Sequence, residues 1–195
     1  MPVISHELHS GMVVALQANY LEVELEAPPL DVPSRLLCTR RTRLTHRGAV
    51  VHVGDRVRVE AIDCDHARAV VAEVEPRSSF LVRPPVANAS CILVAVAVKQ
   101  PSFDAHQVSR FLITAEKTGL QVLLVLTKCD LLDADALSQL RTRLRGWGYE
   151  PMLVSTRSGM GLEELHAQLA TVPISVLCGP SGAVSYTHLR AHETL

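Results

Sequence analysis

One acidic residue at the end of an apolar run is the first feature of this sequence that could recognise a ligand. Residues 121–130 read QVLLVLTKCD, and the aliphatic run before Thr127 is typical of a buried strand in a parallel sheet. Such sheets bind their ligands at the carboxyl ends of their strands. The carboxylate of Asp130 can accept two hydrogen bonds from the N1–H and the amino group of guanine, and adenine offers no such donor pair. Lys128 can lay its methylene stem over the base while its ammonium stays hydrated.

A strand end in which the acid only caps the next helix is the competing interpretation of these residues. A second segment helps to decide between the two interpretations. Residues 155–161, one strand–helix unit later, read STRSGMG. A tight turn there can aim backbone N–H groups at the guanine O6. Alone, that segment is typical of an ordinary glycine-containing turn. Together, the two segments favour a guanine site.

A third segment, residues 178–183, reads CGPSGA and matches the opening of a phosphate-binding loop. The full motif is GxxxxGK[ST], in which glycines let backbone N–H groups surround the phosphates and the Lys reaches the outer ones. Counted from Gly179, the motif requires Gly, Lys and Ser or Thr at 184–186, where this sequence has Val184, Ser185 and Tyr186. The motif therefore begins and does not continue. Residues 179–182 alone are also typical of an ordinary turn.

These three segments lie in a part of the chain where strands and helices alternate, which is typical of an α/β fold. The pattern predicts strands over 91–98, 122–126, 152–155 and 174–178, and helices over 104–117, 133–145 and 161–169. Prolines at both ends of residues 76–85 indicate a linker before this region.

The region before the linker has a different pattern. Five short strands are predicted, over 11–16, 20–25, 36–39 and 69–74, with residues 53–59 as a turn that leads into the fourth. So many short strands in so few residues are typical of a small barrel of the OB type or the SH3-like type. The spacing of the strands does not distinguish the two.

Part of the predicted barrel is rich in arginine, and between residues 35 and 58 a single acid, Asp55, accompanies seven arginines. The arginines are Arg35, Arg40, Arg41, Arg43, Arg47, Arg56 and Arg58. Because guanidinium groups bind phosphate and small barrels can bind single strands, these residues are candidates for RNA contact. A solvated loop balanced by nearby glutamates is the alternative. The net charge of −1 and the few aromatic residues weaken the RNA interpretation.

Composition narrows the protein class. A hydrophobic content of 48% and a net charge of −1 indicate a globular, soluble chain. No apolar run reaches the ~20 residues of a membrane span, and no signal-peptide pattern opens the sequence. The five cysteines form no CxxC pair, which argues against a disulfide framework or a zinc knuckle. We therefore expect a cytoplasmic protein without membrane contact.

The order of these segments resembles that of the circularly permuted GTPases of the RsgA (YjeQ/EngC) family. In it, a barrel is followed by a TKxD segment, an SxxxGxG segment and a GxSG loop, whereas ordinary GTPases carry the phosphate loop first. The similarity runs from Gly11 to Ala183. It includes the strings VGDRV at 53–57, RPPVAN at 83–88 and GLEEL at 161–165.

The resemblance implies a fold and an activity. The fold would be an OB-fold RNA-binding barrel over residues 1–80, followed by an α/β, incomplete circularly permuted P-loop GTPase domain over 81–195. The activity would be GTP binding and hydrolysis in late maturation of the small (30S) ribosomal subunit, with that subunit and its rRNA as partners of a monomer. GTP or GDP with Mg²⁺ would be the cofactors of the intact protein, and Zn²⁺ would belong only to a C-terminal domain missing from this chain.

The resemblance also implies roles for individual residues. Thr127, Lys128 and Asp130 would hold guanine, with Thr127 in place of the usual Asn. Ser155 and Thr156 would close the base pocket. Gly179, Pro180, Ser181 and Gly182 would begin the phosphate loop.

The end of the chain departs from the family pattern. After Ala183 the sequence reads VSYTHLRAHETL, and we interpret residues 184–195 as a foreign or frame-shifted tail. His188 and His192 have helical spacing but no third ligand nearby, so no metal site is assigned. Because the P-loop Lys and the switch motifs are missing, we expect an inactive fragment of a GTPase, with no catalytic residue in this chain.

Two other functions stay open at this point. One is a stand-alone RNA-binding OB-fold protein with a degenerate, structural α/β domain, whose RNA binding would be indifferent to guanine nucleotide. The other is an α/β enzyme of another class, for which ATP and GTP would compete equally.

Overall fold

The structure is a computed structural model that describes residues 7–41, 50–180 and 182. The chain divides into two compact units, Met1–Ala89 and Ser90–Leu195. Within the described residues, no helix is both long enough and apolar enough to span a membrane.

Five strands of the first unit close into a barrel. They are β1 (His9–Leu16), β2 (Leu21–Leu25), β3 (Arg35–Arg40), β4 (Arg56–Asp63) and β5 (Arg68–Val74). Their order around the barrel is β1-β2-β3-β5-β4, and all pairs are antiparallel except β3 with β5. The five predicted strands are thus present, and their arrangement is that of an OB-like barrel.

Alternating burial explains why these segments pair as they do. Along β2, Leu21, Val23 and Leu25 are buried while the two glutamates between them are partly exposed. Side chains of a strand alternate between its two faces, so one face of each strand fills the barrel. The resulting core is almost wholly aliphatic.

The segment that the sequence predicts to be a linker is instead partly folded. Residues 80–87 form a hairpin of β6 (Phe80–Val82) and β7 (Pro85–Ala87), which belongs to the first unit. Val86 pairs with Val53, and the Ala87 N–H donates to the Val53 carbonyl oxygen at 2.8 Å. Pro85 begins β7, so it does not mark a break in regular structure. The hairpin depends on partners distant in sequence, which a local pattern cannot indicate.

A buried ion pair holds the start of this segment to the barrel. Asp55 is fully buried and accepts hydrogen bonds from the Nε and Nη2 atoms of Arg77 at 2.7 and 2.8 Å. It also accepts one from the His52 N–H at 2.8 Å. These bonds to the carboxylate raise the pKa of Arg77. A buried carboxylate requires such partners, so Arg77 is part of the barrel fold.

The second unit contains a parallel sheet. Its strands are β8 (Cys91–Ala97), β9 (Gln121–Thr127), β10 (Met152–Leu153) and β11 (Ser175–Cys178), in the order β10-β9-β8-β11. Every residue of β8 is buried, as expected for a central strand. The described helices are α1 (Ala105–Glu116), α2 (Ala134–Arg145) and α3 (Leu162–Ala170). The alternation predicted from the sequence is confirmed, although β10 is shorter than predicted.

Aspartates begin the first two helices. The Asp104 side chain accepts hydrogen bonds from the N–H groups of His106 and Gln107, and the Asp133 side chain accepts one from Ala136. Such caps satisfy N–H groups that have no partner inside the helix. The acid that caps α2 is therefore Asp133, and Asp130 is not used as a cap.

Candidate functional site

Four loops leave the sheet at its carboxyl edge, because β8, β9, β10 and β11 are all parallel. They are the residues after Ala97, Thr127, Leu153 and Cys178. The three segments selected from the sequence follow β9, β10 and β11, so the fold brings them to one edge. This edge is where open α/β sheets bind ligands.

Cys129 anchors the loop after β9. Its N–H donates to the Val154 carbonyl oxygen at 3.2 Å, and its thiol donates to the Leu126 carbonyl oxygen at 3.2 Å. Burial raises the pKa of this thiol, so it serves as a small apolar residue. Lys128, before it, has a positive φ of 58° and is half-buried, whereas Asp130, after it, is exposed.

Ser155 links the loop after β9 to the loop after β10. Its buried hydroxyl donates to Asp130 Oδ1 at 2.5 Å and accepts from the Ser158 N–H at 3.2 Å. The Ser155 N–H donates to the Met160 carbonyl oxygen at 3.0 Å. The serine therefore fixes one carboxylate oxygen of Asp130, while the exposed carboxylate keeps acceptor positions for a ligand.

Thr127 and Thr156 flank this pair. Thr127 is the last residue of β9 and is half-buried, and its carbonyl oxygen accepts the Val98 N–H at 3.0 Å. Thr156 directly follows Ser155 and is exposed. The five candidate guanine-binding residues thus lie at the end of β9 and in two loops that contact each other.

Gly161 ends the loop after β10 and begins α3. Its φ is 67°, and a Cβ atom there would lie 2.0 Å from the Leu153 carbonyl oxygen. No side chain fits in that space. The turn that brings Ser155 and Ser158 together therefore requires glycine at this position.

Gln100 contacts the candidate site through its backbone, and the sequence did not indicate this. Its carbonyl oxygen, in the loop after β8, accepts a hydrogen bond from the Lys128 ammonium. Because the acceptor is a backbone carbonyl, the type of the side chain does not reveal it. The only indication available from the sequence was its position after a strongly apolar strand.

The start of the candidate phosphate loop lies after β11. A Cβ atom at Gly179 would lie 2.0 Å from the Ala95 carbonyl oxygen, so the chain approaches β8 too closely for any other residue. Pro180 is half-buried, and Gly182 has a φ of 81° and lies near Pro101. Ser181 and the residues from 183 onward, including the predicted tail, lie outside the described residues.

The five candidate arginines that the structure describes lie on β3, on β4 and at the residue after β3. Arg35 forms ion pairs with Glu22 and Glu24 at 3.7 and 3.4 Å. Two further pairs are Arg41–Glu60 at 2.9 Å and Arg58–Glu75 at 3.4 Å. Arg40 and Arg56 are exposed and make no ion pair with another described residue, whereas Arg43 and Arg47 lie outside the described part of the chain. Much of the arginine charge on the described strands is thus balanced locally.

Comparison with known proteins gives close relatives. The family model of the RsgA GTPase matches residues 74–187. A relative from Synechococcus sp. (strain CC9311), named small ribosomal subunit biogenesis GTPase RsgA, is 66% identical over 191 residues, which cover 98% of this chain and 63% of the relative. A protein of the same name from Prochlorococcus marinus (strain MIT 9313) is 59% identical over 89% of this chain and 57% of its own length. The chain thus spans about three fifths of the length of these relatives.

Solved structures with the same fold are also known. The crystal structure of YjeQ from Thermotoga maritima matches with a TM-score of 0.80 and 30% identity, covering 96% of this chain and 66% of that one. The structure of YloQ, a circularly permuted GTPase, matches in fold with a TM-score of 0.73 over 91% of this chain and 61% of that one. On the match of the family model to more than half of its residues, this chain belongs to the RsgA GTPase family.

Proposed function

We propose that this chain carries the guanine-binding and rRNA-binding parts of a GTPase that acts in maturation of the small ribosomal subunit in the cytoplasm. The observation that carries the guanine half of the proposal is the hydrogen bond between Ser155 and Asp130, which fixes a carboxylate at the carboxyl edge of the sheet. The names of the relatives support the ribosomal half.

The proposal assigns one role to each unit. The barrel, for which the sequence indicates residues 1–80, would bind rRNA, and the α/β part over 81–195 would bind guanine nucleotide. Thr127, Lys128 and Asp130 would contact the base, and backbone groups after Ser155 and Thr156 would close the pocket. Adenine cannot donate two hydrogen bonds to the carboxylate, so the site would select guanine.

The residues fit a nucleotide only in part. The close approach at Gly179 and the positive φ of Gly182 suit a loop whose backbone N–H groups face phosphates. Ser185 stands where the motif has its Lys, and Tyr186 stands where it has the hydroxyl that binds Mg²⁺. Phosphoryl transfer depends on the charge of that Lys and metal. We therefore propose that this chain binds guanine nucleotide weakly and does not hydrolyse GTP, and we assign no Mg²⁺ ligand in it.

Substitution of Asp130 tests the guanine site. Asp130→Ala removes both acceptors, and hydrogen bonds to charged groups contribute about 1.5–3 kcal/mol each. We expect GDP affinity, measured with a fluorescent GDP analogue, to fall at least tenfold. Asp135→Ala, which removes an exposed acid in the first turn of α2, is the matched control and should bind GDP like the parent chain. The proposal fails if the parent binds ADP as well as GDP, or if Asp130→Ala leaves GDP binding unchanged.

A second candidate function is RNA binding by the barrel with a purely structural α/β part. The interrupted motif at Val184, Ser185 and Tyr186 favours it. Binding of the chain to small-subunit rRNA with and without GDP separates the two functions. A nucleotide-dependent affinity supports the first candidate, and equal affinity together with no GDP binding supports the second.

A further inference from the structure

The face of the barrel on which OB folds usually bind nucleic acid is poorly suited to phosphate in this chain. That face is formed by the second and third strands. The outward residues of β2 are Glu22 and Glu24, and they pair with Arg35 of β3. At this pairing two carboxylates surround one guanidinium, which opposes the approach of an RNA backbone there, and the exposed Arg40 lies only at the end of β3.

The loop between β4 and β5 is another usual contact of OB folds, and it is acidic as well. Asp63 ends β4 and Asp65 lies in the loop, and Asp63 accepts hydrogen bonds from the N–H and the Nδ1 atom of His66 at 3.2 and 2.9 Å, whereas Arg68 begins β5. These carboxylates make RNA contact less favourable at both places.

An aromatic ring of the β6–β7 hairpin lies beside a second ring and a guanidinium, and we call this group, His52, Arg77 and Phe80, the Phe80 platform. The rings of His52 and Phe80 have centroids 4.8 Å apart at an interplanar angle of 52°. The Cζ atom of Arg77 lies 4.8 Å from the centroid of the Phe80 ring. Unpaired RNA bases stack on such aromatic rings and guanidinium planes.

The platform is rigid before any ligand arrives. Arg77 cannot move freely because its Nε and Nη2 atoms are held by the buried Asp55, and Nη2 also donates to the Val50 carbonyl oxygen at 2.7 Å. Ser78 and Asn88 tie the base of the hairpin through a 2.8 Å bond, and Asn88 donates to the Gly54 carbonyl oxygen at 2.9 Å. A preorganised surface loses little entropy on binding.

The platform is also exposed, and the turn of the same hairpin carries a further arginine. Phe80 is 41% exposed, and Val82, on the same side of its strand, is 73% exposed. Arg83 in the hairpin turn is exposed and forms no ion pair with any other described residue. An exposed ring and an arginine three residues later in the same hairpin suit a ligand that combines a flat base with a phosphate.

We propose that the Phe80 platform is a stacking site for an unpaired base of RNA, with Arg83 contacting a neighbouring phosphate. This inference rests on the proposed rRNA binding and adds to it the surface and the type of RNA. It places the contact on the hairpin after the barrel and not on the β2–β3 face.

RNA binding by Phe80 variants of the full chain tests this site. The probe is a fluorescein-labelled single strand of about 12 nucleotides, within the usual range of site sizes, and its duplex serves for comparison. Phe80→Leu keeps an apolar side chain but removes the ring, so we expect about tenfold weaker binding of the single strand by fluorescence anisotropy. Phe80→Tyr should bind like the parent. Arg83→Ala should lower the slope of log affinity against log salt concentration by about 0.7, the value for one phosphate on a single strand.

Controls separate this inference from the function on which it rests. Arg110→Ala, which removes one exposed arginine from α1 in the second unit, should leave single-strand affinity within about twofold, and thermal unfolding checks that each variant is folded. If the parent binds the single strand and Phe80→Leu binds it equally well, the platform proposal is wrong while rRNA binding stands. Contact with an apolar protein segment would then be the better explanation of the exposed Phe80 platform. If the parent binds neither single strand, duplex nor small-subunit rRNA, the proposed function and this inference both fall.

Discussion

Gly179 shows how a single residue decides whether the candidate phosphate loop can begin at all. A Cβ atom at this position would lie 2.0 Å from the Ala95 carbonyl oxygen, which belongs to the buried central strand β8. Backbone in a central strand cannot move aside without disturbing its hydrogen bonds to both neighbours. Glycine is therefore required by the sheet, independently of any nucleotide.

Substitution of this glycine gives a stability prediction. We expect Gly179→Ala to lower the free energy of unfolding by about 3 kcal/mol or more, as other cases of strain and overpacking in a core do. Gly119→Ala is the control, since Gly119 has a positive φ of 72° but no atom within 4 Å of an added Cβ. That variant should lose only the roughly 1–2 kcal/mol of a left-handed alanine. Urea unfolding measures both, and equal losses would contradict the steric explanation.

At the scale of elements, a hydrogen bond joins the end of α1 to the segment after α2. The Tyr149 hydroxyl donates to the carboxylate of Glu116. Burial raises the pKa of Tyr149 to about 12, and the bond to Glu116 acts in the same direction. The neutral phenol is therefore favoured in the folded chain more than in the unfolded chain.

This contact predicts a dependence of stability on pH. The unfolded tyrosine has a pKa near 10.0, so the stabilisation is fully present below pH 10 and is lost as the pH rises from there to about 12. We expect the difference in unfolding free energy between the parent and Tyr149→Phe to shrink over this interval, because phenylalanine does not titrate. Urea unfolding at several pH values checks this. A difference that stays constant from pH 8 to pH 12 would show that the phenol does not ionise differently in the two states.

At the scale of the whole molecule, the boundary of the barrel unit determines which fragments can fold. The sequence pattern suggests an end at residue 80, whereas the compact unit runs to Ala89. The residues between contribute the buried Ala87 and the Asn88 side chain that bonds to Gly54. Small barrels have little stability to lose, since a short chain buries a small fraction of its surface.

Two fragments test this boundary. We expect residues 1–89 to give a dispersed amide NMR spectrum and a cooperative thermal transition. We expect residues 1–80 to melt at a clearly lower temperature, because the hairpin is cut and the segment that carries Arg77 loses its support. Equal melting temperatures would mean that β7 and Asn88 do not contribute to the barrel.

Local patterns in the sequence were sufficient for the five barrel strands and for the strands and helices of the α/β part, but not for the β6–β7 hairpin. The alternation along β2 follows from burial of one strand face, and the apolar run of β8 follows from burial of both. Burial requires apolar side chains, so both patterns are visible in the sequence. The segments around Asp130, Ser155 and Gly179 were recognisable because the chemistry they suit requires particular residue types at a particular spacing. The roles of those residues remain predictions that the Asp130 experiment addresses.

Tertiary structure alone decided the contacts between segments that are far apart in the chain. The bond from Ser155 to Asp130, the Gln100 carbonyl beside Lys128, and the bond between Asn88 and Gly54 each join different loops. The same holds for the Arg77–Asp55 pair, which turned an apparent linker into part of the barrel. Such contacts depend on the closing of the barrel and on the parallel order of the sheet. The order of residue types along the chain shows neither the closing of the barrel nor the order of the sheet. The sequence therefore determined which groups were available, and the fold determined which of them come into contact.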